Sequence, residues 1–405
     1  MANEQQQTQP QVAIPLPKGK KNAVQIGCIC MMLSVAMYGL VFATLTSPIL
    51  ESVNAMGYVS LFSIFAGMGV SIMTPIGGKL GDLIGRRNIV VIPGIICAVC
   101  GIAFAFVRSL VPLILGVVLI GMNMPNVKRE GKVSIDIPGI IALVVALAGI
   151  LLALNFGSSM GWGNPAIIAG FVIGIVALVV LVKIEGKSAE PLIPLKLFKN
   201  SQYTVLLIVG FICYFYQSAM NVYAPIGAMR VMGASTSAAG ALQMPRTIIT
   251  IFLPTMAGVW VGKKASNAWK AMVVGTLFVA VPMAVMGFTT PSTSIIIYFV
   301  ALTITGIAES YRSVSITPSA QATLQPADMG VGTSLVNFVN SLANTIAAAV
   351  FGVAYNLNTA ADPTNVAYIQ NGVDSVFRLA ATVAVIGLVL VIFVVRPKMT
   401  AKKAE

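Results

Sequence analysis

The chain has 405 residues, of which 57% are hydrophobic and only 9% charged, and its mean hydropathy is +0.92. A soluble domain carries about a quarter charged residues, so a soluble fold is excluded; long unbroken apolar runs, rather than alternating segments of about ten residues, exclude a membrane β-barrel. The net charge of +13 first suggests a nucleic-acid partner, but the basic residues gather in alternate loops between apolar runs, as in a polytopic helical membrane protein.

Residues 1–22 are polar and Gln-rich and end in Lys18, Lys20 and Lys21, which reads as a disordered cytoplasmic tail. The apolar run behind them is too long for a cleaved signal peptide and lacks a clear small-residue cleavage site, so it reads as a start-transfer helix. Twelve apolar segments follow, near residues 24–46, 57–77, 88–107, 109–125, 137–156, 164–184, 203–224, 238–261, 271–288, 293–312, 330–356 and 373–396. Most have about the length that spans a hydrocarbon core. Ile89 to Met124 is interrupted only by Arg108, Ser109 and Pro112. As a single helix it would run to roughly 54 Å, so a hairpin turning at Arg108 is expected. The expected fold is an all-α polytopic bundle of about 12 transmembrane helices.

Charge tests that topology. With the N-terminus inside, the inner loops hold Lys79, Arg86 and Arg87; Lys128, Arg129 and Lys132; Lys183, Lys187, Lys196 and Lys199; Lys263, Lys264 and Lys270; and Arg312. Arg396, Lys398, Lys402 and Lys403 follow in the C-terminal tail, leaving Arg108, Arg230, Arg246 and Arg378 as exceptions. Both termini are therefore expected in the cytoplasm. The five cysteines, at 28, 30, 97, 100 and 213, all fall in apolar segments and read as packing residues. There is no histidine, so proton coupling must use Asp, Glu or an indirect route. No phosphate-binding loop, metal-ligand cluster or nucleophile–base arrangement is apparent. The reading is a non-enzyme with no cofactor and no metal.

The densest run of glycine and charge is Gly78-Lys-Leu-Gly-Asp82-Leu-Ile-Gly85-Arg86-Arg87, between the second and third spans. Glycines at 77, 78, 81 and 85 permit a tight reversal. Asp82 at the end of a helix faces the negative end of that helix's dipole and so calls for a partner. A partner present in only one conformation would make Asp82 a latch.

The pattern Gly78-x3-Asp82-x2-Gly85-Arg86-Arg87 resembles the signature loop of the major facilitator superfamily of secondary transporters, where the loop governs the switch between outward-open and inward-open states. Further stretches resemble its fourteen-helix drug:proton antiporter branch. Asp136-Ile-Pro-Gly139, Gly161-Trp162-Gly163, and Glu185 with Pro191-Leu-Ile-Pro-Leu-Lys-Leu-Phe198 are similar to that branch's two linker helices and the loop behind them. Tyr223-Ala-Pro225 through Gly240 and Pro245 resembles the first helix pair of its C-terminal half, and Gly258-Val-Trp-Val-Gly262-Lys263-Lys264 looks like a worn copy of the opening motif without the acid. Between the third span and the linker the branch has three helices carrying an Arg-containing motif and a Gly-Pro-rich antiporter motif. Here only Leu110 to Met124 stands there and neither motif is present, so two helices of the N-terminal half are read as absent.

The resemblance implies a cytoplasmic tail (1–22), an N-terminal half of about four spans (23–125), a linker helix pair and cytoplasmic loop (126–200), a C-terminal half of six spans (201–397) and a second tail (398–405). It implies proton-coupled efflux of hydrophobic or cationic small molecules across the cell membrane by alternating access. An uptake permease for another solute and a non-transporting shortened relative stay open beside it. The expected partners are the lipid bilayer, a small hydrophobic or cationic substrate and protons, with no nucleic acid and a monomeric state.

Ionisable and polar residues inside spans are the candidate site. Arg246 could meet an acidic substrate group or an acid on another helix. Glu309, three residues before Arg312, is either one half of a local ion pair or a proton-carrying carboxylate. Asp374 and Arg378 read as a local pair four residues apart. Tyr214, Gln217 and Asn221 share a face of the seventh span, which could line a cavity for flat amphipathic compounds or serve interhelical hydrogen bonding. Asn337 opens a polar stripe with Asn340, Ser341 and Asn344 that reads chiefly as helix packing, with Asn337 kept as a substrate contact.

Overall fold

The computed structural model describes residues 17, 19–28, 30–31, 59–85, 87–103, 136–188, 191, 193–264, 266–325 and 328–401. The expected turn at Arg108, the short fourth span and the join left by the missing helices lie outside them. Among the described residues the structure is helical, without strands. Residues 19–28 are already helical, with Lys21 N–H donating to Pro17 O (3.0 Å), so the first helix begins inside the stretch read as tail.

Helix α1 (Val59–Ile84) ends at the signature loop and α2 (Asn88–Ala103) follows it. Gly78, Gly81 and Asp82 do not make the reversal, because they lie in the last turns of α1. Gly85 alone does, with φ 93°, a conformation that costs other residues about 1–2 kcal/mol. Asn88 closes the corner by donating its Nδ2 to Ile84 O (3.0 Å), which satisfies a carbonyl left over at the helix end.

Helices α3 (Ile137–Met160) and α4 (Pro165–Glu185) form a hairpin. Asp136 starts α3 by accepting from Gly139 N (2.8 Å), and Asn164 starts α4 by accepting from Ala166 N (2.9 Å). Their seam is built from small residues: a Cβ at Gly149 would lie 2.7 Å from Gly170 O. Ile168, Val172, Val176 and Val179 on the outer side of α4 are exposed, as suits a helix facing lipid. Behind α4, Glu185 folds the loop back by accepting from Ile193 N (3.0 Å), and Lys196 pairs with Asp328 (2.7 Å).

The C-terminal bundle comprises α5 (Ser201–Val231), a short α6 (Thr236–Ala241), α7 (Met244–Lys263), α8 (Ser266–Met286), α9 (Ile295–Ser313), α10 (Ile316–Gln321), α11 (Met329–Thr359) and α12 (Val366–Met399). Eight apolar stretches among the described residues are long enough to cross a bilayer, and the 26-residue α1 matches them in length. At the α7–α8 turn Asn267 donates its Nδ2 to Trp260 O (2.7 Å), seven residues back, where Asn88 reaches four residues back to Ile84.

The N-terminal helices meet the C-terminal bundle where α1 runs along α11. Here Ser71 Oγ bonds Thr345 Oγ1 (3.2 Å), and a Cβ at Gly67 would stand 2.4 Å from the same Thr345 oxygen. Close approach of the two backbones thus depends on glycine at this position. Helix α12 begins at Val366, capped by Asn365, earlier than the hydropathy implied. Asp374 therefore lies two turns inside it, and the expected ion pair with Arg378 is absent. Asp374 accepts from Thr289 Oγ1 (3.2 Å), while Arg378 Nε donates to the Asp374 backbone carbonyl (3.3 Å).

Candidate functional site

The site is built on α5, α7 and α9, and a proline begins it. Pro225 has no N–H to offer, and α5 widens into π turns at Ala219–Tyr223 and Gly227–Val231 on either side of it. In the first, Ala224 N–H donates to Ala219 O instead of to Met220 O. The Met220 carbonyl is left without a helical partner, and Gln243 supplies one, donating its Nε2 across 3.1 Å.

Gln243 lies in the break between α6 and α7. The eighth predicted span is two helices, and Arg246 stands in the first turn of α7 rather than deep within one long helix. A cation at a helix N-terminus opposes the helix dipole, so its position has to be held by other groups. Glu309 of α9 holds it: its Oε2 accepts from Arg246 Nη2 at 2.5 Å. Arg246 Nη1 reaches Asn221 Oδ1 and Gln243 Oε1 at 3.4 Å each.

The other oxygen of Glu309 faces Arg312 Nη2 at 3.4 Å. Arg312 does not lie in an inner loop, as charge counting placed it. It is 3% exposed, donates Nη1 to Cys213 O (2.9 Å), and stacks on Tyr214 with Cζ 3.5 Å from the ring centroid. One carboxylate is therefore shared by two guanidinium groups, within a shell made by Tyr214, Asn221 and Gln243. The Arg246 and Glu309 side chains keep 12% and 23% of their surface exposed, so the cluster is reachable from that side.

Of the candidates named from sequence, Tyr214, Asn221, Arg246 and Glu309 come together here. Gln217 is half-buried on α5 one turn before Asn221. Asn337 is not brought into the cluster: it lies on an exposed face of α11, whereas Asn340 is buried and would be 3.1 Å from a Cβ at Gly210 of α5. In the switch motif, Gly85 and Arg87 are in the α1–α2 corner and Gly78 and Asp82 are on α1. The Asp82 side chain and all of Arg86 lie outside the described residues. Gln243 and the buried role of Arg312 were missed, although both stand three residues from a residue already singled out. Among the described residues no group of three or more metal-ligating side chains occurs.

A bundle of apolar helices long enough to cross a bilayer, with charged side chains paired between them, is the architecture of a polytopic membrane protein. No family model matches the chain. The multidrug transporter protein MdtP of Bacillus subtilis is 24% identical over 342 residues, covering 80% of this chain and 63% of the relative. The riboflavin transporter RibZ of Clostridioides difficile is 26% identical over 330 residues, covering 79% of this chain and 70% of the relative. The crystal structure of the nucleoside transporter NupG superposes with a TM-score of 0.56 over 92% of this chain and 99% of that one, at 12% identity. The chain is similar in sequence to transporters of the major facilitator type, and it spans less than two thirds of the length of MdtP.

Proposed function

We propose that the chain is a secondary active transporter that exports hydrophobic small molecules in exchange for protons, rocking the helices around α1 against the C-terminal bundle. The observation that carries this reading is the Glu309 carboxylate held between Arg246 and Arg312 from two helices of the bundle. Arg246 on α7 can part from Glu309 when α7 and α9 shift against each other within the bundle, whereas Arg312, three residues on in α9, moves with it, so the charge state of the carboxylate is coupled to conformation. The relationship to MdtP supports a multidrug cargo. The basic residues of the signature loop and the C-terminal tail support placing both termini on the cytoplasmic side of the cell membrane.

In this reading Asp82, Gly85, Arg86 and Arg87 form the conformational latch, and Glu309 carries the proton. Gln217 joins Tyr214 and Asn221 as a substrate contact. A second reading, a carrier dedicated to one solute, is favoured by the relationship to RibZ, of which the chain covers 70%.

The test is dye and antibiotic accumulation in a drug-sensitive host expressing the chain, with and without a protonophore. Export that the protonophore abolishes and that Asp82→Asn eliminates supports the proposal. A well-inserted protein giving no gradient-dependent flux of any compound overturns it, and flux confined to a single solute favours the second reading.

A further inference from the structure

We propose that the Arg246–Glu309–Arg312 cluster is an anion site, and that it takes the carboxylate of an amphipathic small molecule. This develops the acidic-group option open for Arg246 and departs from a cationic cargo. The inference rests on the transporter reading for its biological meaning, while binding alone tests it.

The charge count comes first. Two guanidinium groups share one carboxylate, so the cluster carries one positive charge in excess. The remaining acids with described side chains are occupied elsewhere. Asp136 caps α3, Glu185 binds the Ile193 amide, Asp328 pairs with Lys196, Asp362 binds Thr364, and Asp374 accepts from Thr289. A buried charge without a counter-ion is costly, and an incoming anion removes that cost whereas a cation adds to it.

The donors are the second observation. Arg246 Nε and Arg312 Nε are both buried and have no hydrogen-bond partner. The two Arg246 Nη1 contacts, at 3.4 Å, lie beyond the usual range of about 2.7–3.2 Å. Arg246 thus makes one short bond, to Glu309, and holds the rest of its planar fork of donors in reserve. That fork matches a carboxylate in two-point geometry. Of the two guanidinium groups Arg246 is the more exposed and would make first contact; Arg312, packed on Tyr214, would hold Glu309 as Arg246 turns to the ligand.

Two xanthene dyes of opposite charge provide the test: fluorescein, which bears a benzoate ring, and the cationic pyronin Y, which lacks it. Fluorescence anisotropy with purified protein in detergent should show fluorescein bound tighter than pyronin Y. Arg246→Gln should weaken fluorescein binding about tenfold or more, the loss expected for a hydrogen bond to a charged group. Glu309→Gln should tighten it several-fold, because the resident competitor for both guanidinium groups is gone. Arg246→Lys keeps the charge and should fall between wild type and Arg246→Gln, so the test stands even where the glutamine variant does not fold.

Pyronin Y binding as tight as fluorescein overturns the proposal. So does Arg246→Gln binding fluorescein like wild type, or Glu309→Gln weakening it as Arg246→Gln does. A chain that binds fluorescein in the predicted pattern but moves no dye across a membrane upholds the anion site and removes the transporter reading. A chain that exports dyes without preferring fluorescein does the opposite.

Discussion

The seam between α1 and α11 is sensitive to a single methyl group. In Gly67→Ala the added Cβ would stand 2.4 Å from Thr345 Oγ1 and 3.2 Å from Thr345 Cβ and Cγ2. The Thr345 hydroxyl cannot simply swing away, since it bonds Ser71 Oγ (3.2 Å) and its own helix at Ser341 O (2.9 Å). Relief requires moving one helix off the other, and overpacking of that kind costs about 1–3 kcal/mol. Losing the Ser71–Thr345 bond adds about 1 kcal/mol, for a total of about 2–4 kcal/mol. Thr345→Ala alone should cost about 1–2 kcal/mol, for the hydrogen bond and one buried methyl. Because that variant removes both the hydroxyl and the methyl that meet the new Cβ, the double variant Gly67→Ala/Thr345→Ala should be more stable than Gly67→Ala alone. Unfolding of the purified proteins in detergent, followed by circular dichroism through a denaturant titration, reads all three and yields the coupling. Gly67→Ala as stable as wild type, or a double variant no better than the single one, would refute the packing argument.

Three further outcomes follow from the same reasoning. Gln243→Leu removes the donor to the Met220 carbonyl and should destabilise the bundle by about 1–3 kcal/mol in the same titration, whereas Gln243→Glu, which also cannot donate when ionised, should not rescue it. Gly85→Ala should cost about 1–2 kcal/mol because φ at this corner is left-handed, with Gly85→Asn milder, and unfolding midpoints will order the three proteins. Tyr203→Phe loses the hydroxyl that donates to Gly332 O across 2.7 Å and should cost about 1 kcal/mol while leaving dye binding at Arg246 as in wild type.

Much of this was legible from residue types and positions. Apolar runs and loop charges located the helices because lipid demands internal backbone bonding and the positive-inside bias marks loops. Arg246 and Glu309 stood out because charge at membrane depth is rare. Their meeting did not, since they are 63 residues apart and only the packing of α7 against α9 joins them. Arg312 was assigned to a loop because it ends an apolar run; the carbonyl of Cys213 and the ring of Tyr214 that bury it belong to another helix. The early start of α12 was hidden by the polar turn Ala367 to Asn371, which hydropathy discards and the Asn365 cap defines. Pro225 was visible in the sequence, but its effect on Met220 and Gln243 depends on where the π turn places a carbonyl.

The most direct test of the central claim, that the Arg246–Glu309–Arg312 cluster is where cargo and protons are coupled, is protonophore-sensitive dye export by Glu309→Gln at matched levels of membrane-inserted protein. The account predicts that gradient-driven export is lost while the dye is still bound. Export by Glu309→Gln at the wild-type rate, with the same sensitivity to the protonophore, would contradict it.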